Sequence, residues 1–343
     1  MNKKTAVILS NVGTPDEPKA GAVRRFLFYF LNDKYVIDLP WLLRKFLVNC
    51  IIIPFRIKKS TKLYERLWTE NGSPIIYHTE NLKAKLQKQL GDNFEVFIGM
   101  RYENPNYKKA LKEIKKQGFE RIVIFPLFPQ YAQSTTETAF VSADLEIKKL
   151  NIKAEIVKVN QFYDHPAFIK AFVDRAKKYD LTKYDHVLFS YHGLPNRQVE
   201  KCHPGIKVEA CDCTQSVPEH GKFCYRATCF ATSRLIAKKL GLKNSDYSNA
   251  FQSRLSKNWL SPFSDELILE KLKEGKKNIL VFAPAFVTDC LETVIEIGED
   301  YHELFSENGG EKIQLVESLN ASDTWVNAIV EIIGENIKTS NTN

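Results

Sequence analysis

The stretch Ile122-Val123-Ile124-Phe125 places four apolar residues in succession. A run of this length without polar alternation is typical of a parallel strand that is buried on both faces. Similar short runs recur along the chain and alternate with segments of helical periodicity. We therefore predict eight strands, at residues 5–10, 94–100, 121–126, 153–159, 186–191, 247–251, 278–283 and 312–317.

Strands that alternate with helices indicate an α/β fold in which helices cover both faces of parallel sheets. The eight strands make two sheets of about four, the first from the strands up to Pro126 and the second from those beginning at Lys153. The length of 343 residues exceeds what one hydrophobic core usually serves. We predict an N-terminal domain of residues 1–128 plus 320–343 and a C-terminal domain of residues 129–319.

The composition is that of a soluble globular protein, with 44% hydrophobic and 26% charged residues. The formal net charge of +8 suits an anionic partner without choosing among nucleic acid, acidic lipid and a carboxylated small molecule. The basic residues are dispersed without zinc-finger or helix-turn-helix spacing, so we expect no nucleic-acid binding. The first apolar run is too short for an export signal, which predicts a cytoplasmic protein with reduced cysteines.

One apolar segment, residues 36–55, approaches the length of a membrane span. Arg44 and Lys45 lie in its middle, where charges are costly in a bilayer core, and Pro54 closes it. We interpret it as an amphipathic helix that either faces the core or lies on a membrane interface. Peripheral contact with the inner membrane through residues 26–55 is therefore an expectation.

Ligands of open parallel sheets bind beyond the carboxyl ends of the strands, and His192 directly follows a predicted strand. A histidine there can accept protons near neutral pH or ligate a metal, and Gly193 permits close approach of a ligand. A buried structural histidine is the alternative. The loop at residues 11–16 lacks a dinucleotide-binding glycine pattern, and Pro15 removes a backbone donor that a phosphate would use.

Glu292, Glu296 and Asp300 follow one another at intervals of four residues. On a helix they form one line of carboxylates, which repel one another and cost stability unless the line serves a function. A proton relay or a path for a divalent cation fits that cost. A solvated acidic face is the alternative.

Five of the seven cysteines crowd into residues 202–229. In a cytosolic chain this density indicates a metal site rather than disulfides. A [2Fe–2S] cluster could be held by four thiolates, and the four that we select are Cys211, Cys213, Cys224 and Cys229. A structural zinc that uses His203 or His220 is the rival. Cys50 and Cys290 stand apart and are expected to be small buried residues.

The chain resembles the ferrochelatases at motifs that occur in the family's order and cover nearly the whole sequence. Each motif alone is weak, whereas the combination is specific. The motifs lie at residues 11–15, 72–75, 99–102, 129–131, 134–136, 190–195, 251–254, 259–260 and 284–293.

The resemblance implies two flavodoxin-like or Rossmann-like domains of the chelatase fold with a porphyrin between them. It implies a lyase that inserts ferrous iron into protoporphyrin IX in the last step of haem synthesis. His192 and Glu292 would then face each other across the macrocycle as catalytic and metal-binding residues, with Glu296 and Asp300 on a helix of π character. The positions that match the pocket or its rim are Arg101, Tyr64, Ser134, Thr135 and Trp259.

Two segments depart from the common pattern of the family. Val12 stands where relatives often carry a larger residue. Residues 196–229 form a cysteine-rich insert that resembles the subset with an internal [2Fe–2S] cluster, and Cys202 is a substitute for either Cys211 or Cys213. Residues 26–31 and 41–55 match a lip that faces a membrane in some members.

The resemblance leaves several alternatives open. Coproporphyrin carries more carboxylates than protoporphyrin and would need more basic groups at the rim. A cobalt or nickel chelatase and a tetrapyrrole carrier without chelation are further alternatives, although a carrier would not need both His192 and Glu292. The oligomeric state and the purpose of the cluster are not readable from the sequence.

Overall fold

The strands of the computed structural model, which describes residues 3–342, form two four-stranded sheets. Every ladder within these sheets is parallel. The strands are β1 (Thr5–Ser10), β2 (Phe94–Ile98), β3 (Arg121–Pro126), β4 (Glu155–Lys158), β5 (His186–His192), β6 (Tyr247–Gln252), β7 (Asn278–Phe282) and β8 (Lys312–Leu315). All eight predicted strands are therefore confirmed, with ends displaced by at most two residues.

Helices connect and cover these strands. The α-helices are α1 (Ala20–Leu31), α2 (Trp41–Phe46), α3 (Ile53–Leu67), α4 (Pro74–Leu90), α5 (Tyr107–Gln117), α6 (Thr138–Lys149), α7 (Pro166–Ala176), α8 (Asn196–Glu200), α9 (Tyr225–Leu240), α10 (Ser264–Lys273), α11 (Tyr301–Glu307) and α12 (Asp323–Thr342). Three π-helical segments, Leu47–Ile52, Gln133–Glu137 and Glu292–Asp300, each run directly into an α-helix. Such segments are frequent at functional sites, and two of these three contain predicted catalytic, relay or porphyrin-binding residues.

The two sheets share one strand order, β2-β1-β3-β4 in the first and β6-β5-β7-β8 in the second. In each sheet the earliest strand lies between the next two, so the connections leave it in opposite directions. This reversal opens a crevice at the carboxyl ends of the strands, where ligands of such sheets bind. In the second sheet the crevice lies beyond β5, which ends at His192, and beyond β7, which precedes the acidic segment.

Contacts divide the chain into two units, and the first comprises residues up to 128, 132–161 and from 320 onward. Both faces of its sheet are covered, which explains the uninterrupted apolar strands. Ile8 and Ile124 pack with Phe140 of α6 on one face. On the other face Phe125 meets Trp325 of α12, with ring centroids 6.4 Å apart.

The second unit comprises residues 129–131 and 162–319 and has a core of its own. Leu188 of β5 and Val281 of β7 pack with Ile297 of the acidic π-helical segment and Phe305 of α11. The apolar residues of the acidic segment thus face the sheet, and this packing fixes the segment against the strand ends.

The sheet assignment of the fourth strand is wrong in the sequence analysis. The strand predicted near Lys153 was placed in the second sheet, but β4 pairs with β3, from Arg121↔Glu155 to Ile124↔Lys158. The connection through α6 continues the first sheet as a further β-α-β unit. Contacts accordingly group residues 132–161 with the first unit, whereas the predicted domain boundary at 128/129 left them in the second.

The apolar segment at residues 36–55 is helical over much of its length, but Pro54 does not close it. Helix α2 passes through the π-helical segment Leu47–Ile52 into α3, which continues to Leu67. Proline is tolerated in the first turn of a helix, and Pro54 occupies that position in α3. None of the helices formed by residues 3–342 is long and apolar enough to cross a bilayer.

Candidate functional site

His192 is the last residue of β5 and lies half-buried at the carboxyl end of the second sheet. The six strand residues before it are buried. The amide of Gly193 then donates a 2.7 Å hydrogen bond to the carbonyl of Gln252 on the neighbouring strand. A Cβ on Gly193 would stand 2.9 Å from that carbonyl oxygen, so the close approach of the two chains requires glycine.

One hydrogen bond sets the tautomer of the neutral His192 ring. Nδ1 lies 2.6 Å from the carbonyl oxygen of Gly193. Because a carbonyl only accepts, Nδ1 carries the proton of the neutral ring and Nε2 keeps its lone pair. The backbone N–H of His192 also donates to the hydroxyl of Tyr225. The site therefore presents Nε2 as a proton acceptor or a metal ligand.

Gln252 connects the end of β5 to the segment that carries the carboxylates. It pairs with His192 in the β5–β6 register and is 1% exposed. Its Oε1 accepts a 2.7 Å hydrogen bond from Ser190, so its Nε2 points the other way. Nε2 donates to the carbonyl of Glu292 at 3.3 Å and to the carboxylate of Glu296 at 3.0 Å. The amide thereby ties the acidic segment to the strand of His192.

The carboxylate of Glu296 is saturated with donors. Besides Gln252, it accepts hydrogen bonds from the Ser253 backbone at 2.8 Å, the Ser253 hydroxyl at 2.5 Å and the Tyr301 hydroxyl at 3.2 Å. Ser253 has a φ of 61°, a conformation that residues with a side chain rarely adopt. Burial raises the pKa of Tyr301, and the adjacent Glu296 raises it further. Glu296 therefore holds a strained turn in place.

The other two carboxylates have different surroundings. Glu292 begins the π-helical segment and is half-buried, whereas Asp300 ends it and is exposed. The thiol of Cys290 hydrogen-bonds to Glu292, and burial together with this carboxylate raises the pKa of the thiol. The acidic residues therefore extend along one π-helical segment from the strand ends to solvent, with the π character that the resemblance implied.

The corresponding edge of the first sheet is built by the loops after β1 and β2. Gly13 has a φ of 100°, and a Cβ there would lie 2.1 Å from the carbonyl oxygen of Tyr102, so no side chain fits. The backbone N–H groups of Arg101 and Tyr102 donate to the carbonyls of Asn11 and Val12, both at 2.9 Å. These bonds fix Arg101 at the carboxyl edge of the first sheet.

Four further residues were predicted to bind the porphyrin, and three of them lie close to loops at strand ends. Ser134 and Thr135 are half-buried in the π-helical segment that follows β3. The ring of Trp259 would lie 3.3 Å from a Cβ on Gly193, beside the end of β5. Tyr64 lies farther along α3, where it packs edge-on against an aromatic ring of α1 at 6.0 Å.

The cysteine-rich segment folds onto the beginning of α9. Cys224 caps this helix, Cys229 lies in it, and Arg226 between them donates to the carbonyls of Val208 and Cys211 at 2.9 and 3.4 Å. The same guanidinium lies 3.4 Å from the Sγ of Cys213. One arginine therefore fastens the two halves of the cysteine segment together.

The thiols contact one another and two histidines. The Cys213 thiol hydrogen-bonds to Cys224, which lowers the pKa of Cys224 and raises that of Cys213. Nε2 of His203 lies 3.5 Å from the Sγ of Cys224, and Nε2 of His220 lies 3.7 Å from the Sγ of Cys211. Cys213, Cys224 and Cys211 are buried with Cys229, whereas Cys202 is only half-buried.

The two isolated cysteines do not both match the sequence analysis. Cys290 is half-buried next to Glu292. Cys50 is exposed, so its interpretation as a buried residue is wrong. It lies in the π-helical segment between α2 and α3, most of whose residues are not buried.

Four residues with clear roles at these edges were not selected from the sequence. They are Gln252, Ser253, Tyr225 and Asp33, whose carboxylate accepts hydrogen bonds from Arg101 and Tyr102 at the edge of the first sheet. Gln252 and Ser253 belong to the motif at residues 251–254, which was the available signal, but no local pattern pairs them with residues about forty positions away. Asp33 carried no such signal.

Comparisons with known proteins agree on one family. A family model described as Ferrochelatase matches residues 4–337. A protein of Coxiella burnetii (strain Dugway 5J108-111) named Ferrochelatase is 41% identical over 342 residues, which cover 98% of this chain and 95% of the relative. A protein of Legionella pneumophila (strain Paris) with the same name is 41% identical over 340 residues, which cover 97% of this chain and 100% of the relative.

Solved structures confirm the fold. SirB from Bacillus subtilis with Fe3+ matches with a TM-score of 0.55 and 13% identity, covering 99% of this chain and 98% of the other. The sirohydrochlorin chelatase SirB from Bacillus subtilis subspecies spizizenii in complex with cobalt matches with a TM-score of 0.56 and 12% identity over the same shares. At these identities the likeness concerns the fold alone, and it confirms the predicted chelatase fold.

Proposed function

The chain belongs to the ferrochelatase family, and on this premise we propose that its substrates are ferrous iron and protoporphyrin IX. The family's reaction inserts Fe²⁺ into a porphyrin for haem synthesis, so the chain is a lyase. The observation that supports our assignment of catalytic residues is the ring of His192, whose Nε2 is left free by the hydrogen bond from Nδ1 to Gly193.

The proton balance of the reaction assigns a task to His192. A free-base porphyrin carries two pyrrole N–H groups, and one Fe²⁺ replaces two protons. A base must accept each proton as the metal enters, and neutral imidazole is suited to this near pH 7. Nε2 of His192 accepts a pyrrole proton, and the Nδ1 hydrogen bond to Gly193 keeps the ring oriented as its charge changes.

Glu292 has the complementary task. Its half-buried carboxylate ligates incoming Fe²⁺ or accepts the second proton, both of which suit a carboxylate. Exposed Asp300 forms the solvent end of the same segment. Between them, the carboxylate of Glu296 is held in place by four donors, and a carboxylate at this point favours passage of a cation or proton along the segment.

An anaerobic assay of the purified protein with Fe²⁺ and protoporphyrin IX tests the substrate assignment. We expect haem absorption bands above those of a protein-free blank. Parallel reactions with coproporphyrin, and with Co²⁺ or Ni²⁺ in place of iron, rank the alternatives by kcat/KM. Porphyrin that binds without any metal insertion would instead identify a carrier.

We further propose that the cysteine-rich segment holds a [2Fe–2S] cluster. Four thiolates are the usual ligand set of such a cluster, and our set is Cys211, Cys213, Cys224 and Cys229. Two observations support this set: all four side chains are buried, and the thiols of Cys213 and Cys224 are in contact. The guanidinium of Arg226 lies 3.4 Å from the Sγ of Cys213 and counteracts part of the rise in the pKa of that thiol.

When bound, the cluster would supply a covalent staple for a segment of little regular structure, together with one-electron redox chemistry. The histidine contacts favour zinc as the second candidate. His203 approaches Cys224 within 3.5 Å, and its other ring nitrogen lies 3.0 Å from the carbonyl of Ile206. This backbone contact is typical of a metal-binding histidine.

Replacing Cys224 with serine is expected to remove the bound metal, because Cys224 touches both Cys213 and His203. We expect loss of visible absorbance and a melting temperature lowered by more than about 5 °C, since metal binding contributes to folding. Absorption spectroscopy, iron and acid-labile sulfide analysis and calorimetry measure these effects. Cys50→Ser, at an exposed cysteine, is the matched control.

The metal content of the wild-type protein separates the two candidates. Equal amounts of iron and acid-labile sulfide support the cluster. Stoichiometric zinc without visible absorbance supports the Cys/His site instead. Wild-type protein that is purified anaerobically and carries neither metal would contradict both.

We also propose that the protein docks on a membrane through an apolar lip. The lip is a set of eight exposed apolar residues: Phe28, Tyr29, Trp41, Leu42, Leu43, Phe46, Ile51 and Phe55. Exposed apolar patches of this kind mark interaction sites. The exposed cations Arg56, Lys58 and Lys59 and the half-buried Lys45 flank it, which favours an anionic lipid surface.

Replacing both Trp41 and Phe55 with serine is expected to weaken binding to vesicles that contain anionic lipid by at least about tenfold. These two side chains are 64% and 82% exposed, so the folded protein loses few contacts and the membrane loses large apolar groups. Co-sedimentation with vesicles measures the effect. Leu145→Ser, at a leucine of α6 that is 53% exposed, is the control, and equal binding of all three proteins would contradict the proposal.

A further inference from the structure

A buried carboxylate in the first unit organises the residue at the end of β2. The side chain of Asp33 is 4% exposed and accepts four hydrogen bonds. One oxygen takes the backbone N–H of Tyr35 at 2.8 Å. The other takes the hydroxyls of Tyr102 at 2.8 Å and Thr138 at 2.6 Å, together with Nη2 of Arg101 at 2.5 Å.

These contacts leave Arg101 little freedom. Its Nε donates to the Thr138 hydroxyl at 2.6 Å, and the same hydroxyl donates to Asp33. The guanidinium lies 4.4 Å from the centre of the Tyr102 ring. The orientation of the guanidinium is therefore fixed by two hydrogen bonds and one stacking contact.

One edge of the guanidinium remains available. The side chain of Arg101 is 23% exposed, and its Nη1 has no hydrogen-bond partner among residues 3–342. An arginine held in this way offers parallel N–H donors to a planar anion, and a carboxylate matches that geometry. Protoporphyrin carries carboxylates that could meet this edge.

We propose that Asp33 is a positioning residue that presents Arg101 to a carboxylate of the porphyrin. The proposal rests on the proposed function, since it needs a carboxylated porphyrin as the ligand. Asp33 itself does not touch the substrate. Asp33 reduces the conformational entropy that Arg101 loses when the porphyrin binds, because the guanidinium is already oriented beforehand.

The alternative is a structural ion pair that only stabilises the first unit. The two roles differ in how they depend on the substrate. A positioning role acts through the carboxylate, so its loss weakens binding of a free-acid porphyrin and not of the neutral ester. A structural role weakens binding of both porphyrins equally or of neither.

The test uses Asp33→Asn in the full chain with two porphyrins, protoporphyrin IX and its dimethyl ester. We expect Asp33→Asn to raise KM and Kd for protoporphyrin IX about tenfold, with kcat within about twofold. Fluorescence titration should show the same Kd for the ester in the variant and in the wild type. Asp92→Asn, at an exposed aspartate after α4, is the matched control.

Variants of Thr138 keep the test decisive if Asp33→Asn folds poorly. Thr138→Ser retains the hydroxyl and should behave as the wild type, whereas Thr138→Val removes the partner of the Arg101 Nε and should raise KM for the acid alone. An equal change for acid and ester, or no change for either, would overturn the proposal. A wild type that inserts no iron but binds the acid more tightly than the ester would overturn the proposed function and leave this inference standing.

Discussion

Replacing His192 with alanine is expected to lower kcat for iron insertion by about 10²–10⁴-fold, the usual contribution of a positioned acid–base group. The variant loses the Nε2 lone pair that accepts a pyrrole proton. It keeps the backbone of β5, because the hydrogen bond of Gly193 to Gln252 and the hydroxyl of Tyr225 hold the main chain. Porphyrin affinity, measured by fluorescence titration under anaerobic conditions, should therefore stay within a few-fold of the wild-type value.

His302→Ala is the matched control, because His302 is an exposed histidine of α11 in the same unit. It should leave turnover and melting temperature unchanged. Near-normal turnover of His192→Ala would show that the pyrrole protons leave by another base. A large loss of porphyrin affinity in that variant would assign His192 to binding.

Glu292→Gln is expected to reduce kcat by about a hundredfold or more with little change in stability. Glutamine keeps the volume but cannot accept a proton or offer a negative charge to Fe²⁺. The link from Gln252 reaches the Glu292 main chain, so the substitution does not remove it. Steady-state kinetics with Fe²⁺ and thermal unfolding measure the two effects.

Glu296→Gln is the informative comparison, because its carboxylate serves four donors. The amide nitrogen of the new glutamine cannot accept a hydrogen bond, so at least one of the donors on Gln252, Ser253 and Tyr301 would lose its acceptor. We expect a loss of about 1–3 kcal/mol in the free energy of unfolding. Glu303→Gln, at an exposed glutamate of α11, should change neither kcat nor the free energy of unfolding. If Glu292→Gln destabilised the protein and Glu296→Gln only lowered kcat, the catalytic role would belong to Glu296 and the structural role to Glu292.

The strands were predictable because local patterns encode them. Runs such as residues 122–125 are apolar at every position, and that pattern is typical of strands in a sheet that is covered on both faces. Sheet membership is a different property. β4 is four residues long and begins and ends with the charged residues Glu155 and Lys158. Its assignment depends on pairing with β3, which no local pattern records.

The candidate site was predictable to the extent that topology brings strand ends together. His192 and the acidic segment follow strands of one sheet, and the ligand-binding edge of such sheets is known from their winding. Gln252 was missed because its partners lie 40 and 44 residues away. Asp33 was missed for the same reason, since Thr138 is 105 residues distant. Networks of buried polar groups are specified by the fold rather than by spacing.

The cysteine segment was predictable only in part. Its density of thiols predicted a metal site, and the fold does bring Cys213 and Cys224 into contact. The role of Arg226 could not be read, because it depends on a loop that folds back over the start of α9. The same loop brings His203 and His220 to the thiols.

Helix α12 has a consequence for synthesis on the ribosome. Its Trp325 is completely buried against the first sheet, yet residues 323–342 are translated after the whole second unit. The second unit is complete once residue 319 has emerged, while the first still exposes the apolar surface that α12 will cover. The unit encoded later is therefore the first that can finish folding, and a nascent chain arrested between the two stages would carry one finished half and one open half.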